Sequence, residues 1–311
     1  MIDLCEHALA ELLNVTRHYK DSLEKITVNL GWFGEMKADE VMHSDITHWV
    51  QEELDRGLQI KTVWHKVRFV KSAYHLAFDS GYVEINPFNT FKLPKGRHTE
   101  MTTLSSEEFS NFLNFIHPHY RLFVKALVLT GLRFGEITAL QYADFDFEHN
   151  TVRISKAWGD HNRYMRDPKT ASGVRTIALP RKLTKELQAI SQNKDDEYVF
   201  TNQRGKRLKY PTFESRYWIP ATKLFNGNRC VLPKWIREED KALPVCKKHL
   251  RIHDLRHTCA TWMLSENIPI HVVSHHLGHA SIEMTVKRYG HIMNKDFLLV
   301  TKVLSQLQET L

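Results

Sequence analysis

His253-Asp254-Leu255-Arg256-His257-Thr258, Leu277-Gly278-His279 and Arg288-Tyr289-Gly290-His291 follow one another near the C-terminal end of a 311-residue chain. Taken singly, each of these runs is weak. His253 and His257, at i and i+4 around an acidic residue, superficially match the H-E-x-x-H of zinc hydrolases. His271, His275, His276 and His279 add to that reading. Asp254, however, is one methylene shorter than the glutamate such chemistry uses, and Arg256 would stand beside a metal and repel it. A lone tyrosine such as Tyr289 is usually a core aromatic or a helix-end residue. The order and the company of these runs therefore decide their meaning.

Upstream, Tyr120 to Thr130 reads as an apolar helix. Gly131-Leu132-Arg133-Phe134-Gly135-Glu136 breaks it and opens another helix expected to reach Leu140. By itself, Arg133 with Glu136 would be a surface i,i+3 ion pair. Thr151 to Ala157 and Val174 to Leu179 alternate at period two and read as two strands. Pro168-Lys169-Thr170 lies in the run leading into the second. A lysine in such a loop is usually only solvated, and Lys156, Arg163 and Arg166 lie close enough in sequence to compete with Lys169. From Asp196 onward helices dominate, while Asn226 to Lys248 follows no assignable pattern.

Ser105 and Glu108 form a capping-box signature, with Leu104 and Phe109 spaced as a hydrophobic staple, so a domain is expected to start there. Before it, Phe88 to Thr103 has no periodicity and carries Pro94, Lys95, Gly96, Arg97 and His98, the composition of a basic hinge. The reading is residues 1–95 as one helical domain, 96–104 as linker and 105–311 as a second domain. Within the first, helices are expected from Ala8 to Val15, from Ser22 to Phe33, and from a Ser44 cap to Gly57. A fourth runs from Lys61 to Ser80, with Val63, Val67, Val70, Tyr74 and Ala77 as its apolar stripe. Its other side carries Lys61, His65, Arg68, Lys71 and His75, which on their own are a solvated face.

The chain is 42% hydrophobic and 25% charged with a net charge of +7, a balance that suits an anionic partner without naming one. No apolar run approaches the roughly 18 residues that span a bilayer. The N-terminus lacks the basic start and apolar core of a signal peptide. Four cysteines with no C-x-x-C pair read as free thiols. A cytoplasmic protein is expected.

Taken together and in this order, the Arg133 run, Pro168-Lys169-Thr170, His253-x-x-Arg256, Leu277-Gly278-His279 and Arg288-Tyr289 resemble the catalytic domain of the tyrosine recombinase (phage integrase) family. The helical segment before them resembles the family's core-binding domain, so the likeness covers nearly the whole chain. The resemblance implies a mainly α fold with a small antiparallel β-sheet in an α+β catalytic domain. It implies strand cleavage and exchange through a phosphotyrosine link at Tyr289. A phenol with pKa about 10 is mostly neutral at pH 7 and needs a base or strong fields. Arg133 and Arg256 would clamp the non-bridging phosphate oxygens, because the guanidinium fork matches phosphate and stays charged. Lys169 would protonate the leaving 5′-oxygen, His253 would take or share the Tyr289 proton, and His279 would donate to the phosphate. Glu136 would orient the cations, with His257 in support.

The implied partner is double-stranded DNA carrying specific sites, bound by a homotetramer that is a monomer or weak oligomer without it. DNA-bending or directionality proteins could take part in the host nucleoid, and neither cofactor nor metal is called for. Lys61, His65, Arg68, Lys71, Lys95 and Arg97 would face the duplex. The chain is expected to begin directly with the core-binding segment; either the enzyme works without the arm-binding domain of many phage integrases or the chain is a truncated form. From Lys295 on, Phe297, Val300, Val303, Leu304, Leu307 and Leu311 share one helix face, suited to the chain's own core or to a neighbouring protomer. Integration or excision of a mobile element is the first expectation and dimer resolution the second. A catalytically inactive regulator, a type IB topoisomerase and a zinc hydrolase are the rivals from other classes.

Overall fold

The computed structural model describes residues 1–11, 17–92, 101–159, 165–166, 173–191, 198–228, 233–236 and 244–290. The chain separates into two compact units, Met1–Thr99 and Glu100–Leu311. Lys95, Arg97, Lys169 and the apolar C-terminal stripe from Lys295 fall outside the described residues.

The first unit is helical: α1 (Ile2–Glu11), α2 (Arg17–Thr27), α3 (Trp32–Glu35), α4 (His43–Asp55) and α5 (Ile60–Asp79). The single helix expected from Ser22 to Phe33 is interrupted after Thr27, where Gly31 takes φ +63° and α3 starts afresh. The expected cap at Ser44 is absent. Asp45 performs that task, its carboxylate accepting the Met42 N–H at 2.8 Å. The stripe Val63, Val67, Val70, Tyr74 and Ala77 is buried against Ile46, Trp49 and Phe33 in one core, as helical spacing requires. Lys66, also on α5, is buried with Glu53 of α4, and its ammonium donates to the Asn29 carbonyl as well. Burying that charge is tolerable only because both partners are present.

The second unit opens with α6 (Ser106–Phe115), whose capping box forms as expected: Glu108 N–H donates to Ser105 Oγ and Ser105 N–H to the Glu108 carboxylate. Then come α7 (Pro118–Thr130), the single turn α8 (Phe134–Ile137), and strands β1 (Phe145–Asp146), β2 (Thr151–Ile154), β3 (Ala157–Trp158), β4 (Met165–Arg166) and β5 (Arg175–Ala178). After α9 (Arg181–Ser191), residues 210–225 form α10 (Tyr210–Phe213), a π-type stretch and α11 (Ile219–Phe225). The unit's described part closes with α12 (Asp254–Ser265), α13 (Ile270–Leu277) and α14 (Ile282–Tyr289). Strands β1, β2 and β5 make an antiparallel sheet in the order β1-β2-β5, while β3 and β4 pair separately. The one long strand expected from Thr151 to Ala157 is thus split between two sheets.

The helix expected to run from Arg133 to Leu140 stops after one turn. Thr138 Oγ1 donates back to the Phe134 carbonyl, Val199 N–H takes the Leu140 carbonyl, and Gln141 N–H turns to Asp144. Side-chain and cross-chain partners here replace the helical ladder. Beneath the sheet and helices lies an aromatic-rich core around Phe112, Phe115, Tyr120, Phe123, Phe213, Trp218 and Phe225. Helix α12 packs on α7 and on α13, so the motif-bearing helix is central to the unit.

Candidate active site

The site is assembled where α7 ends, α8 and α12 begin, α13 ends and α14 ends. Gly131 terminates α7 in the left-handed region (φ +62°). Arg133 then caps α8, its backbone N–H donating to Glu136 Oε2 at 3.0 Å and its Nη1 to Oε1 at 2.8 Å. The Arg133 side chain is 44% exposed whereas Glu136 is 7%, so the cation reaches solvent from a buried anchor. Burial alone would raise the Glu136 pKa, but the guanidinium groups of Arg175 and Arg133 outweigh it and hold the carboxyl below its usual range.

Asp254, fully buried at the start of α12, accepts from the backbone N–H, Nε and Nη2 of Arg251 and so fixes the turn that presents His253. His253 stands open to solvent at the N-cap of α12, edge-on to the His257 ring at 4.9 Å. One turn in, Arg256 is 2% exposed, its Nη1 donating to the Gly131 carbonyl at 2.8 Å and its Nη2 to the Leu277 carbonyl at 2.7 Å. Both acceptors close helices, where carbonyls lack intrahelical partners and carry the negative end of the helix dipole. Burial and then Arg133 pull the Arg256 pKa down to about 9, which leaves it charged at neutral pH.

His279 follows the Gly278 cap of α13, and its Nδ1 pairs with Thr285 Oγ1 at 2.6 Å. Burial, then the positive field of Arg256 and Arg133, lowers its pKa to about 3, so the ring is neutral. Tyr289 ends α14 with no exposure, packed among Ala260, Leu264, Val273 and Leu277. Burial pushes its hydroxyl up to about 12, against the pull of Arg256 and Arg288. The hydroxyl is hydrogen-bonded to Nδ1 of His257 at 2.6 Å. Sequence reasoning gave the tyrosine's proton partner as His253; the structure gives the contact to His257, because i+4 on α12 points inward and His253 outward. Burial, then His253, brings the His257 pKa to about 4, leaving a neutral ring.

Arg133, Glu136, Arg256, His257, His279 and Tyr289 are therefore brought into one connected region, with His253 at its rim. Lys169 lies outside the described residues. Among the rivals named from the sequence, Lys156 is engaged elsewhere, with its ammonium on Gln141 and 3.3 Å from Asp144. The β3 segment sits directly on α8: a Cβ at Gly135 would lie 2.5 Å from the Trp158 carbonyl oxygen. The histidines of the zinc reading face separate partners, with His276 Nε2 on the Thr130 carbonyl, and His271 and His275 are exposed. Among the described residues no three His, Cys, Asp or Glu are grouped to hold a metal. On α5, Lys61, His65 and Arg68 are exposed along one face, but the Lys71 ammonium is taken by the Phe88 carbonyl at 3.0 Å.

Sequence reasoning missed Arg175 and Thr285. Arg175 was legible: in the alternating run to Leu179 it shares parity with Ile177, so it had to point inward and find a carboxylate. Thr285 gave no such signal.

A comparison with protein families matches residues 102–295 to the phage integrase family. A XerC-like tyrosine recombinase of Caldanaerobacter subterraneus subsp. tengcongensis is 26% identical over 93% of this chain and 76% of its own length. The ICEBs1 integrase of Bacillus subtilis is 24% identical over 83% of this chain and 69% of its own. Among solved structures, the Tn1549 transposon integrase in complex with a circular intermediate DNA superposes with a TM-score of 0.79 at 22% identity, over 93% of this chain and 94% of the other. A lambda integrase dimer bound to a core site gives 0.68 at 17%, over 92% and 93%. These likenesses concern the fold. With more than half of the chain matched by the family's own model and the motif residues converging in space, this chain belongs to the phage integrase family of tyrosine recombinases.

Proposed function

We propose that this chain cuts and rejoins DNA at specific sites through a covalent bond to Tyr289, integrating or excising a mobile element. The observation that carries the reading is the convergence of two arginines, neutral histidines and the buried hydroxyl of Tyr289 around the ends of α7, α12, α13 and α14. In the forward step the Tyr289 oxygen bonds to phosphorus as its proton passes to a histidine ring. The P–O5′ bond breaks, and Lys169 protonates the leaving 5′-oxygen. Arg133 and Arg256 take up the negative charge that grows on the non-bridging oxygens, the kind of preorganised stabilisation that dominates such reactions. Rejoining is the reverse, so no nucleotide is consumed. His253, open at the rim, and His279 complete the set facing the phosphate.

A tyrosine with no exposure cannot reach DNA, so Tyr289 must leave its niche before attack. Helix α14 is built to permit this. Thr285 and Tyr289 are its buried residues, while Ile282, Met284 and Val286 remain exposed. The exposed basic residues of α5, Lys61, His65 and Arg68, are proposed to lie along the duplex, and Lys95 and Arg97 are proposed as further DNA contacts. Neutralising phosphates with such residues makes affinity fall with salt. Assembly as a homotetramer on paired sites is part of the same proposal. Resolution of chromosome or plasmid dimers is the second reading.

The test uses nicked duplexes tiled across the DNA on either side of the chain's own coding sequence, resolved on denaturing gels. The wild-type chain should form a covalent adduct on one of them. Tyr289→Phe should shift the same duplex on native gels and form none. An adduct persisting in Tyr289→Phe would overturn the assignment and turn attention to Tyr217. No adduct on any duplex with the wild-type chain would overturn the recombinase reading.

A further inference from the structure

Arg175 on β5 is 4% exposed, and its side chain is wholly buried. Each of its three nitrogens serves a different part of the site. Nη2 donates to Glu136 Oε2 at 3.1 Å, Nε to the His276 carbonyl at 2.8 Å, and Nη1 to the Gly173 carbonyl at 3.1 Å. The Glu136 carboxylate also holds Arg133, so Arg175 and Arg133 share one anion. His276 lies in the last turn of α13, two residues before the Gly278 cap that leads into His279. Gly173 is the first described residue after the segment that carries Lys169. The fit against the α13 cap is close: Gly278 sits at φ +67°, and a Cβ there would fall 2.6 Å from Arg175 Nη1.

Stability alone gives little reason for this arrangement. A buried ion pair of this kind is frequently matched or bettered by apolar residues of similar volume. A rigid planar fork that reaches three chain segments at once does something an apolar side chain cannot: it sets their separations. Misplacing reacting groups by about 1 Å can cost on the order of 100-fold in rate. We infer that Arg175 is a positioning residue for strand transfer, fixing Arg133 through Glu136, the cap before His279 and the chain at Gly173 relative to one another. It touches no DNA. The inference rests on the recombinase reading above.

Three variants test it: Arg175→Lys, which keeps the charge but not the fork; Arg175→Met, which keeps only bulk; and Gly278→Ala, which presses on the guanidinium. Each is measured for thermal melting, for binding of the nicked duplex, and for the single-turnover rate of adduct formation at saturating enzyme. Arg175→Lys should melt cooperatively, bind within about threefold of wild type, and form adduct on the order of 100-fold more slowly. Gly278→Ala should show the same split between binding and rate. Combined with Glu136→Gln, Arg175→Lys should lose little more than the worse single change, since both act through one link. A merely structural arginine predicts rates that follow the folded fraction. The inference is overturned if the folded variants form adduct within threefold of wild type, if binding and rate fall together, or if none of the three folds. The wild-type lane separates the two failures: without a wild-type adduct the recombinase reading itself falls, and this inference with it.

Discussion

His257→Phe removes one hydrogen bond and little else, since a ring remains between His253 and Tyr289. In the wild-type chain that bond, 2.6 Å long and fully buried, is the described polar partner of the Tyr289 hydroxyl. Deleting this partner leaves a buried hydroxyl unpaired, which costs about 1–3 kcal/mol. The penalty falls only on the packed state, because an extended Tyr289 meets water or phosphate. At about 1.4 kcal/mol per tenfold, the balance moves toward the extended state by a factor of roughly 5 to 150. If release precedes attack, adduct formation on a nicked duplex should rise, up to that factor, until chemistry becomes limiting. The tyrosine should also titrate at lower pH, since burial is what pushes it to about 12. Single-turnover adduct assays and ultraviolet titration of the free chain measure the two effects. A rate more than tenfold below wild type in a chain that still melts normally refutes the reasoning. His257 would then be the base that the reaction needs, not the latch that holds its nucleophile.

Two further outcomes follow from the same site. His257, His276 and His279 have pKa values brought by burial to about 4, about 4 and about 3, against about 6.5 in an unfolded chain. Between pH 6.5 and 4 the unfolded chain therefore binds more protons. Stability is intact above pH 6.5 and declines as pH falls through this window, by at most about 1.4 kcal/mol per pH unit for each histidine. Urea midpoints at pH 7.5 and 5.5 check this, and equal midpoints would refute it. Adduct formation should be unchanged in excess EDTA, because Arg133, Arg256 and Lys169 already supply the charge a metal would bring. Activity lost to EDTA and restored specifically by zinc would bring the histidine cluster back.

Much of the site was legible because its chemistry is written in short runs: Arg133 with Glu136, His253 to His257, Leu277 to His279, and Tyr289. What the sequence does not carry is direction. The choice between His253 and His257 as partner of Tyr289 depends on which side of α12 faces the core, and that side is set by α7 and α13. In the first unit α4 and α5 were legible from their stripes, whereas α1 begins at Ile2 and not at the expected Ala8, and the break at Gly31 and the early end of α8 were not legible. Both depend on bonds to residues distant in sequence or on a single positive φ. Lys66 read as one more cation on a basic helix, and only the fold pairs it with Glu53. Arg175 is legible by strand parity, since it shares a strand face with Ile177 and Leu179.

The two buried arginines differ in what they have left to offer. An arginine carries five N–H donors. Arg175 has all three of its nitrogens engaged by protein, whereas the protein bonds of Arg256 among the described residues take one hydrogen from each Nη. Among the described residues three donors of Arg256 are left over, enough to grip a phosphate in bidentate fashion without releasing either helix end. Under the proposed function, Arg256 would hold a phosphate with these donors while its bonds to the Gly131 and Leu277 carbonyls keep the α7 and α13 ends in place. A lysine there has only three hydrogens in total, and two carbonyls would leave one. The same count explains why a guanidinium, and not simply a positive charge, belongs at this position.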